Sequence, residues 1–331
     1  MRRASPRKTE AGVALVTVLM IVAAMSTVAI MLSSAVLAST SRAKALDASA
    51  QTDWFVSGAE EFAELTIEKL VATSGRNLFD GMPALSEPMT FQIDGGVISI
   101  NGRDATNCLN VNALRSNTSD GEEGAGTSRT PRDDFKQLLE LAELEGIDVE
   151  ALTASLVDWV DADQSPGLSG AEDSYYSGLV PAYRTSGQPL QNLSELRAIR
   201  YYTPELIDAL RPLLCAMPDE RPQVLNINTL REEEAALLSL AMSGALPLRD
   251  ARDVIFQRPA GGWESVGDML SQPDLAQIAP ELRREEMLSV QSSHIGIRTV
   301  IEYRGLRRIY DLLLLVEETG NVSAIRRERK G

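Results

Sequence analysis

An apolar run at residues 13–38 constrains this chain more than any other feature. It contains no charged side chain, and a short basic leader with Arg2, Arg3, Arg7 and Lys8 precedes it. Since a helix rises 1.5 Å per residue, about 20 apolar residues cross a hydrocarbon core of about 30 Å. Clusters of Lys and Arg resist translocation, so the leader is expected to stay in the cytoplasm. Everything after the run would then lie on the far side of a membrane.

Residues 39–71 favour a continuous helix over removal of the apolar run. A secretory signal peptide, cut near Ala38, is the alternative. The segment after that point has no Pro and one Gly, and good helix formers dominate it. We therefore expect one long helix that is apolar in its first half and amphipathic in its second. The apolar stripe expected to face the rest of the chain consists of Leu46, Trp54, Phe55, Phe62, Leu65 and Leu70.

This layout resembles type IV pilins and pseudopilins, in which a prepilin peptidase cuts after a glycine that precedes the apolar segment. The matching bond here is Gly12–Val13. Most members have Glu at the fifth residue after the cut, whereas this chain has Thr17. Among the pseudopilins of type II secretion, the K minor pseudopilins lack that Glu. A lone carboxylate in a bilayer seeks a partner, so a subunit without one suits the first place in a filament.

The resemblance to the K pseudopilins implies a role in assembly. It implies cleavage and methylation at the new N-terminus, and a single-pass position in the inner membrane with the C-terminal part in the periplasm. The partners implied are the I and J minor pseudopilins, the pseudopilus and the inner-membrane secretion platform. Such a subunit would start and cap the pseudopilus during protein export across the outer membrane.

Composition fits a body outside the cytoplasm. The formal net charge is −15, so nucleic acid is not an expected partner, because its phosphates require Lys and Arg. A strongly acidic domain is suited to binding a cation. The two cysteines, Cys108 and Cys215, predict one disulfide in a periplasmic chain, and two buried free thiols are the alternative.

The periodicity of the remaining chain predicts an α+β fold. Alternating residues around Gly95-Gly96 predict a hairpin, and residues 296–327 predict an antiparallel meander. Helical patterns dominate between these β regions. We expect a pilin-like long helix packed on a small antiparallel sheet, with a large all-α domain inserted in the sheet region. The expected divisions are a leader (1–12), a transmembrane half-helix (13–38), a periplasmic half-helix (39–75), the β region (76–107 and 289–331) and the inserted domain (108–288).

The acidic segment at residues 158–176 is the strongest candidate for chemistry. Ca²⁺ takes several oxygen ligands in irregular geometry, and a loop with Pro166 and two glycines can bring carboxylates together. The spacing does not match an EF-hand, and a solvated acidic turn is the alternative. The K pseudopilins have a similar segment and bind calcium, which implies a calcium site here. The candidate ligands are Asp161, Asp163, Glu172 and Asp173, with Asp158 as a weaker candidate that orients the loop, and Trp159 and Tyr175 as packing residues.

Residues 225–270 resemble helix-hairpin-helix repeats, with a partial second copy at 193–206. The candidate phosphate-binding hairpin, 242–247, has little glycine and follows three glutamates, so we expect these hairpins to be scaffold. The alternative function is a membrane-anchored periplasmic binding module of this type, possibly linked to DNA. The mature N-terminus distinguishes the two, since a start at Val13 supports the pseudopilin.

Catalytic signals are weak, and we do not expect an enzyme. The single histidine, His294, is expected at the start of a strand as a surface or hydrogen-bonded residue. No Cys-x-x-Cys motif, phosphate loop or nucleophile elbow is present in the sequence. The Gly-, Ser- and acid-rich stretch 117–128 is expected to be a mobile loop.

Overall fold

A computed structural model describes residues 8–117, 129–222 and 224–330. The predicted mobile loop lies outside the described residues from 118 onward, as does the leader up to residue 7.

The first element is one uninterrupted helix, α1 (Lys8–Ser74), as the sequence predicts. Its part from Val13 onward is long and apolar enough to cross a membrane, and the apolar window is not buried against the rest of the protein. From Ala48 onward one face is buried at intervals of three or four residues, which is the spacing of a helix that packs on one side. The buried residues of this face are Ala48, Thr52, Val56, Ala59, Ala63, Ile67 and Val71.

The prediction of which residues form the buried face of α1 is therefore wrong. Trp54 is 76% exposed and Leu65 is 52% exposed, while the residues that face the sheet are mostly small. Small side chains let the helix axis approach the sheet closely, so Ala and Val occupy the contact face. Of the six predicted residues, only Phe55 and Leu70 pack against the core in part.

A five-stranded antiparallel sheet packs on the second half of α1, in the order β1-β2-β7-β8-β9. The first hairpin turns at Asp94-Gly95, where Gly95 has φ +87°, and Gly96 pairs with Ile93. A Cβ atom at Gly96 would overlap the carbonyl oxygen of Glu302, so only glycine fits there. The strands of this sheet are β1 (Met89–Ile93), β2 (Gly96–Asp104), β7 (His294–Tyr303), β8 (Leu306–Val316) and β9 (Val322–Lys330).

The insert leaves the sheet after β2 and returns at β7, and it has its own apolar core. It is less regular than the all-α domain that the sequence predicts, because several turns are 3₁₀ helices and residues 177–192 lack regular structure. A short helix α2 (Pro83–Ser86) precedes the sheet. The α-helices of the insert are α3 (Pro131–Leu141), α4 (Val149–Val160), α5 (Asp173–Tyr176), α6 (Pro204–Leu210), α7 (Ala235–Ala241), α8 (Leu248–Phe256), α9 (Val266–Leu270) and α10 (Pro273–Ala276).

Two segments of the insert repeat the pattern Leu-Asn-x-Asn, at residues 109–112 and 225–228. In each, Leu-Asn is a two-residue strand that pairs in parallel with a later strand. The second Asn of each segment exchanges two hydrogen bonds with the backbone of a distant residue, Leu190 in the first copy and Trp263 in the second. The insert is thus built from two copies of one unit. The paired strands are β3 (Leu109–Asn110) with β4 (Leu214–Cys215), and β5 (Leu225–Asn226) with β6 (Leu288–Ser289).

The insert is fixed to the end of the sheet that lies beyond Ser74. Arg76 donates from Nε to the carbonyl of Ser292 over 3.1 Å, and the Ser292 N–H donates to the Arg76 carbonyl over 2.8 Å. Asp104, the last residue of β2, accepts hydrogen bonds on Oδ2 from Thr229 and Asn226 of the second unit. These contacts join the second unit to the sheet and to the end of α1.

Cys108 and Cys215 form the disulfide that the sequence predicts, with Cα atoms 5.6 Å apart. It joins the residue before β3 to the last residue of β4, two strands that already pair in parallel. The disulfide therefore closes the first unit of the insert upon itself.

Candidate metal site

The acidic segment lies in the first unit of the insert, in the connection that follows α4. This connection covers residues 161–189, whereas the second unit joins its corresponding elements through residues 257–262. Asp148 begins α4 by accepting a hydrogen bond from the Ala151 N–H over 3.0 Å. The helix ends at Val160, so Asp161 is the first residue of the long connection.

Three of the five predicted carboxylates come together. One oxygen each from Asp161, Asp163 and Glu172 lies within 4.8 Å of the others. Asp161 and Glu172 are buried, and Asp163 is exposed. Among the described residues, no hydrogen-bond donor reaches Asp161 Oδ1 or either carboxylate oxygen of Glu172. Buried acceptors are normally satisfied, so these oxygens have the chemistry and the spacing of ligands for a hard cation.

Asp158 holds the loop rather than joining the three clustered oxygens. It lies in α4, and both of its carboxylate oxygens accept from the Gly167 N–H at 3.1 Å. The backbone of Gly170 packs directly against this carboxylate. Asp158 therefore fixes the first bend of the loop, which returns the chain toward Glu172.

Asp173 does not lie with the other acids, which differs from the predicted ligand set. Its Oδ1 accepts from the N–H and the hydroxyl of Thr185, at 2.9 and 3.0 Å. Its Oδ2 lies 3.7 Å from the guanidinium of Arg184. Because Asp173 begins α5, its side chain points to a different part of the connection from that of Glu172. Thr185 has no acidic or glycine-rich neighbourhood in the sequence that would reveal this contact.

Burial and mutual repulsion raise the pKa values of the clustered acids. Burial is the main cause at Glu172 and raises its pKa to about 7, with further repulsion from Asp158 and Asp161. Burial, followed by repulsion from Asp163, raises the pKa of Asp161 to about 6. Burial also raises the pKa of Asp158. Arg132 opposes the shifts at Asp161 and Asp158, but its charge does not compensate the cluster.

Aromatic rings form the wall behind the acidic loop. Trp159 contacts Tyr176 edge to face, with ring centroids 5.1 Å apart, and Tyr183 packs against both rings. Tyr176 is fully buried, and its hydroxyl accepts from the Arg200 N–H over 3.1 Å. Tyr175 contacts Tyr176 edge to face, also with ring centroids 5.1 Å apart, and lies under the guanidinium of Arg200. Sequence reasoning did not single out Tyr176, since nothing distinguishes two adjacent tyrosines before their burial is known.

The predicted helix-hairpin-helix turn is occupied by another part of the protein. Gln137 of α3 donates from Nε2 to the carbonyl of Ser243 over 2.9 Å, and its side chain fills the space above Gly244. The turn between α7 and α8 is thus packed inside the insert, which agrees with the prediction that it is scaffold.

His294, the single histidine, is buried at the start of β7. Its Nδ1 lies 2.9 Å from the hydroxyl of Ser293, and burial lowers its pKa. It is a hydrogen-bonded residue of the junction between insert and sheet.

Two family models match the insert, and both describe the type II secretion system protein K. The first covers residues 107–219 and the second covers residues 225–291, which coincide with the two copies of the Leu-Asn-x-Asn unit. The type II secretion system protein K of Klebsiella pneumoniae is 34% identical over 97% of this chain and 96% of its own length. That of Aeromonas hydrophila is 30% identical over 97% of this chain and 98% of its own.

The chain belongs to the type II secretion system protein K family. The proteins of this family are structural pseudopilin components and are not known as enzymes. The crystal structure of the GspK-GspI-GspJ complex from enterotoxigenic Escherichia coli contains a chain that matches most of this fold. The TM-score is 0.75 and the identity 27%, over 88% of this chain and 99% of that one. The protein K fold, including the insert between β2 and β7, is therefore shared.

Proposed function

We propose that this chain is the initiating tip subunit of a type II secretion pseudopilus. In this proposal α1 crosses the inner membrane once, and the sheet and insert lie in the periplasm. Prepilin peptidase removes the leader at Gly12–Val13, and the subunit then works with the secretion platform in export across the outer membrane. Membership of the protein K family supports this assignment over the alternative of a periplasmic helix-hairpin-helix binding module.

The position of the insert is the observation that carries the tip proposal. The insert is attached at Arg76 and Leu78, just beyond the end of α1. At the other end of the sheet, Arg304 pairs with Asp47 of the helix over 3.3 Å. The attachment of the insert and the Arg304–Asp47 ion pair are about 40 Å apart along the axis of α1. A bulky insert at the end remote from the apolar run blocks the stacking of another subunit above it.

The apolar half of α1 supports the first place in assembly. Thr17 stands where most pilins have Glu, and its hydroxyl donates to the carbonyl of Ala14 in its own helix over 2.9 Å. No charge in residues 13–38 requires a partner within the membrane. A subunit of this kind can remain alone in the bilayer until other subunits bind to it.

The exposed face of α1 is the surface through which we expect the I and J pseudopilins to bind. Trp54 and Leu65 lie on the side of the helix opposite the sheet, and Trp54 is 76% exposed. Large exposed aromatic residues are typical interaction sites. The GspK-GspI-GspJ complex of the solved relative is consistent with such partners.

Co-purification of the full chain with its I and J partners tests the proposal. We expect Trp54→Glu to abolish most of the association, while Phe256→Glu does not. Phe256 is a matched control because it is 79% exposed on α8 of the insert, far from the helix face. Mass by light scattering should give a heteromer and no homopolymer. A homopolymer, or equal losses in both variants, would refute a tip subunit that assembles through α1.

We further propose that the acidic loop binds Ca²⁺ through Asp161, Asp163 and Glu172. The support is the set of buried oxygens of Asp161 and Glu172 that no donor among the described residues reaches, in a connection that the second unit does not have. Backbone carbonyls and water would complete the shell that Ca²⁺ prefers. Calorimetric titration of the full chain with Ca²⁺ and with Mg²⁺ tests this, and heat from Mg²⁺ alone would contradict it.

A further inference from the structure

A cleft lies between α1 and the turn that joins β7 to β8. It has a volume of about 490 Å³ and is lined by Lys44, Ala45, Ala48, Arg304 and Leu306. The floor is apolar, and two cationic side chains stand at its rim. Arg304 is held over the cleft by its ion pair with Asp47.

The cleft is next to the expected membrane surface. The apolar run ends at Ala38, so Lys44 stands about 9 Å further along the helix. The headgroup layer extends roughly 5–7 Å beyond the hydrocarbon core on each side. Lys44 is thus placed at the outer edge of that layer, and the turn with Arg304 is the part of the sheet nearest to it.

Basic residues collect at this end of an otherwise acidic protein. The whole chain has a net charge of −15, yet five cations face three carboxylates here. Within the described ranges no carboxylate pairs with Arg42 or Lys44. Lys and Arg beside the translocated end of a span run against the usual charge bias, so their presence requires another reason. The charged residues counted here are Arg42, Lys44, Asp47, Asp94, Glu302, Arg304, Arg307 and Arg308.

We propose that this cleft binds the headgroup of an anionic phospholipid in the membrane that α1 crosses. The phosphate lies between Lys44 and Arg304, and the part of the headgroup beyond the phosphate lies on Ala45, Ala48 and Leu306, while the acyl chains lead back to the bilayer. Clustered cations beside a membrane span favour anionic lipids through this charge complementarity. The inference rests on the proposed single-pass orientation of α1, and it fixes the height of the sheet above the bilayer.

Native mass spectrometry of the full chain in detergent tests the lipid site with two probes, phosphatidylglycerol and phosphatidylcholine. We expect the parent to retain phosphatidylglycerol in preference. Lys44→Gln with Arg304→Gln should lower this preference by about 25-fold, since each of the two cations near anionic lipid raises affinity by roughly fivefold. Lys44→Arg with Arg304→Lys should retain it. The control pair Arg249→Gln and Arg252→Gln removes the same charge from an exposed face of α8 and should change nothing.

Several outcomes would overturn the proposal. Equal retention of both lipids by the parent would do so, as would an unchanged preference in the Lys44/Arg304 variant. Displacement of the lipid by excess inorganic phosphate would identify a free anion site instead. If the variant keeps its lipid preference but loses its I and J partners, the cleft is a protein interface. Carbonate extraction of the parent from membranes tests the membrane span of α1 separately, because a chain that is extracted would refute the span itself.

Discussion

The backbone of Gly170 and the carboxylate of Asp158 are in such close contact that a Cβ atom at Gly170 would overlap Asp158 Oδ2. This contact joins the end of the loop to the helix that precedes it. Because Asp158 also accepts from the Gly167 N–H, a single carboxylate fixes two glycines of the loop. The spacing between Asp161 and Glu172 depends on this arrangement.

Gly170→Ala should displace the loop and reduce both stability and calcium affinity. The new methyl group forces Asp158 to move, and it cannot do so without breaking its bonds to Gly167. We expect a loss of about 1–3 kcal/mol in the free energy of unfolding, as for other overpacked sites. Thermal unfolding measures it, with Gly261→Ala as control because a Cβ atom there meets no neighbour. Equal melting temperatures for the two variants would contradict this account of the loop.

Glu172→Gln should have opposite effects with and without calcium at pH 8. Without the ion, removal of a buried charge that repels its neighbours should raise the melting temperature. With Ca²⁺, the parent gains stability by mass action and the variant loses most of that gain. Asp173→Asn is the control and should keep the calcium response, since Asp173 bonds to Thr185. Loss of the calcium response in Asp173→Asn but not in Glu172→Gln would show that Asp173, and not Glu172, is a ligand of the ion.

The calcium-free protein should lose stability as pH rises from about 4.5 to about 7.5. Glu172 has a pKa raised from 4.5 to about 7 in the folded state, and Asp161 has one raised from 3.8 to about 6. The folded protein therefore binds more protons than the unfolded chain in this window, so rising pH favours unfolding. The melting temperature of the parent minus that of Glu172→Gln, measured in EGTA across the window, should fall with pH. Calcium binding should release protons and strengthen over the same range.

The disulfide should stabilise the insert strongly. Cys108 and Cys215 are separated by 107 residues, and closing a loop of that size contributes about 4–5 kcal/mol in the chain-entropy model, often less in practice. Cys108→Ser with Cys215→Ser should lower the urea midpoint, and a reducing agent should lower that of the parent to the same value. A double variant that unfolds at the midpoint of the parent would show that the β3–β4 pairing suffices alone.

Gly12→Val should block maturation, because the resemblance to prepilins requires a small residue before the cut. The expected result is a protein that keeps its leader, seen as a higher mass of the membrane fraction than in the parent. Ala11→Val changes the neighbouring residue equally and should still be processed. A parent whose N-terminus is Met1, or one that starts after Ala38, would contradict cleavage at Gly12–Val13.

Much of the fold follows from sequence patterns with a clear period. The absence of Pro after Ala38 predicted α1, and alternation predicted the strands on both sides of the insert. The face of α1 was predicted wrongly, because Trp54 and Leu65 have the hydrophobicity of core residues while Ala59 and Ala63 form the actual contact. Hydrophobicity alone does not distinguish a face that packs on a sheet from one left for another subunit.

The acidic loop illustrates what a sequence conveys about a site. Its density of carboxylates marked the region, but Asp173 and Glu172 are adjacent and turn to different partners. The directions of these two side chains are set by the contact with Thr185 and by the start of α5, and both depend on the tertiary structure. The Leu-Asn-x-Asn repeat was visible in the sequence and was missed because four residues at a separation of 116 positions give no periodic signal.

The last residue of β2, Asp104, faces Ile295 of β7 in the register of the sheet. Directly opposed residues of antiparallel strands have Cα atoms only about 5 Å apart. For the sheet, the whole insert is therefore equivalent to a single hairpin turn. A short turn in its place would leave every strand pair and the contact with α1 unchanged. The insert is thus a separate module. Evolution can add, enlarge or replace it at one point of the chain without altering how α1 and the sheet fold.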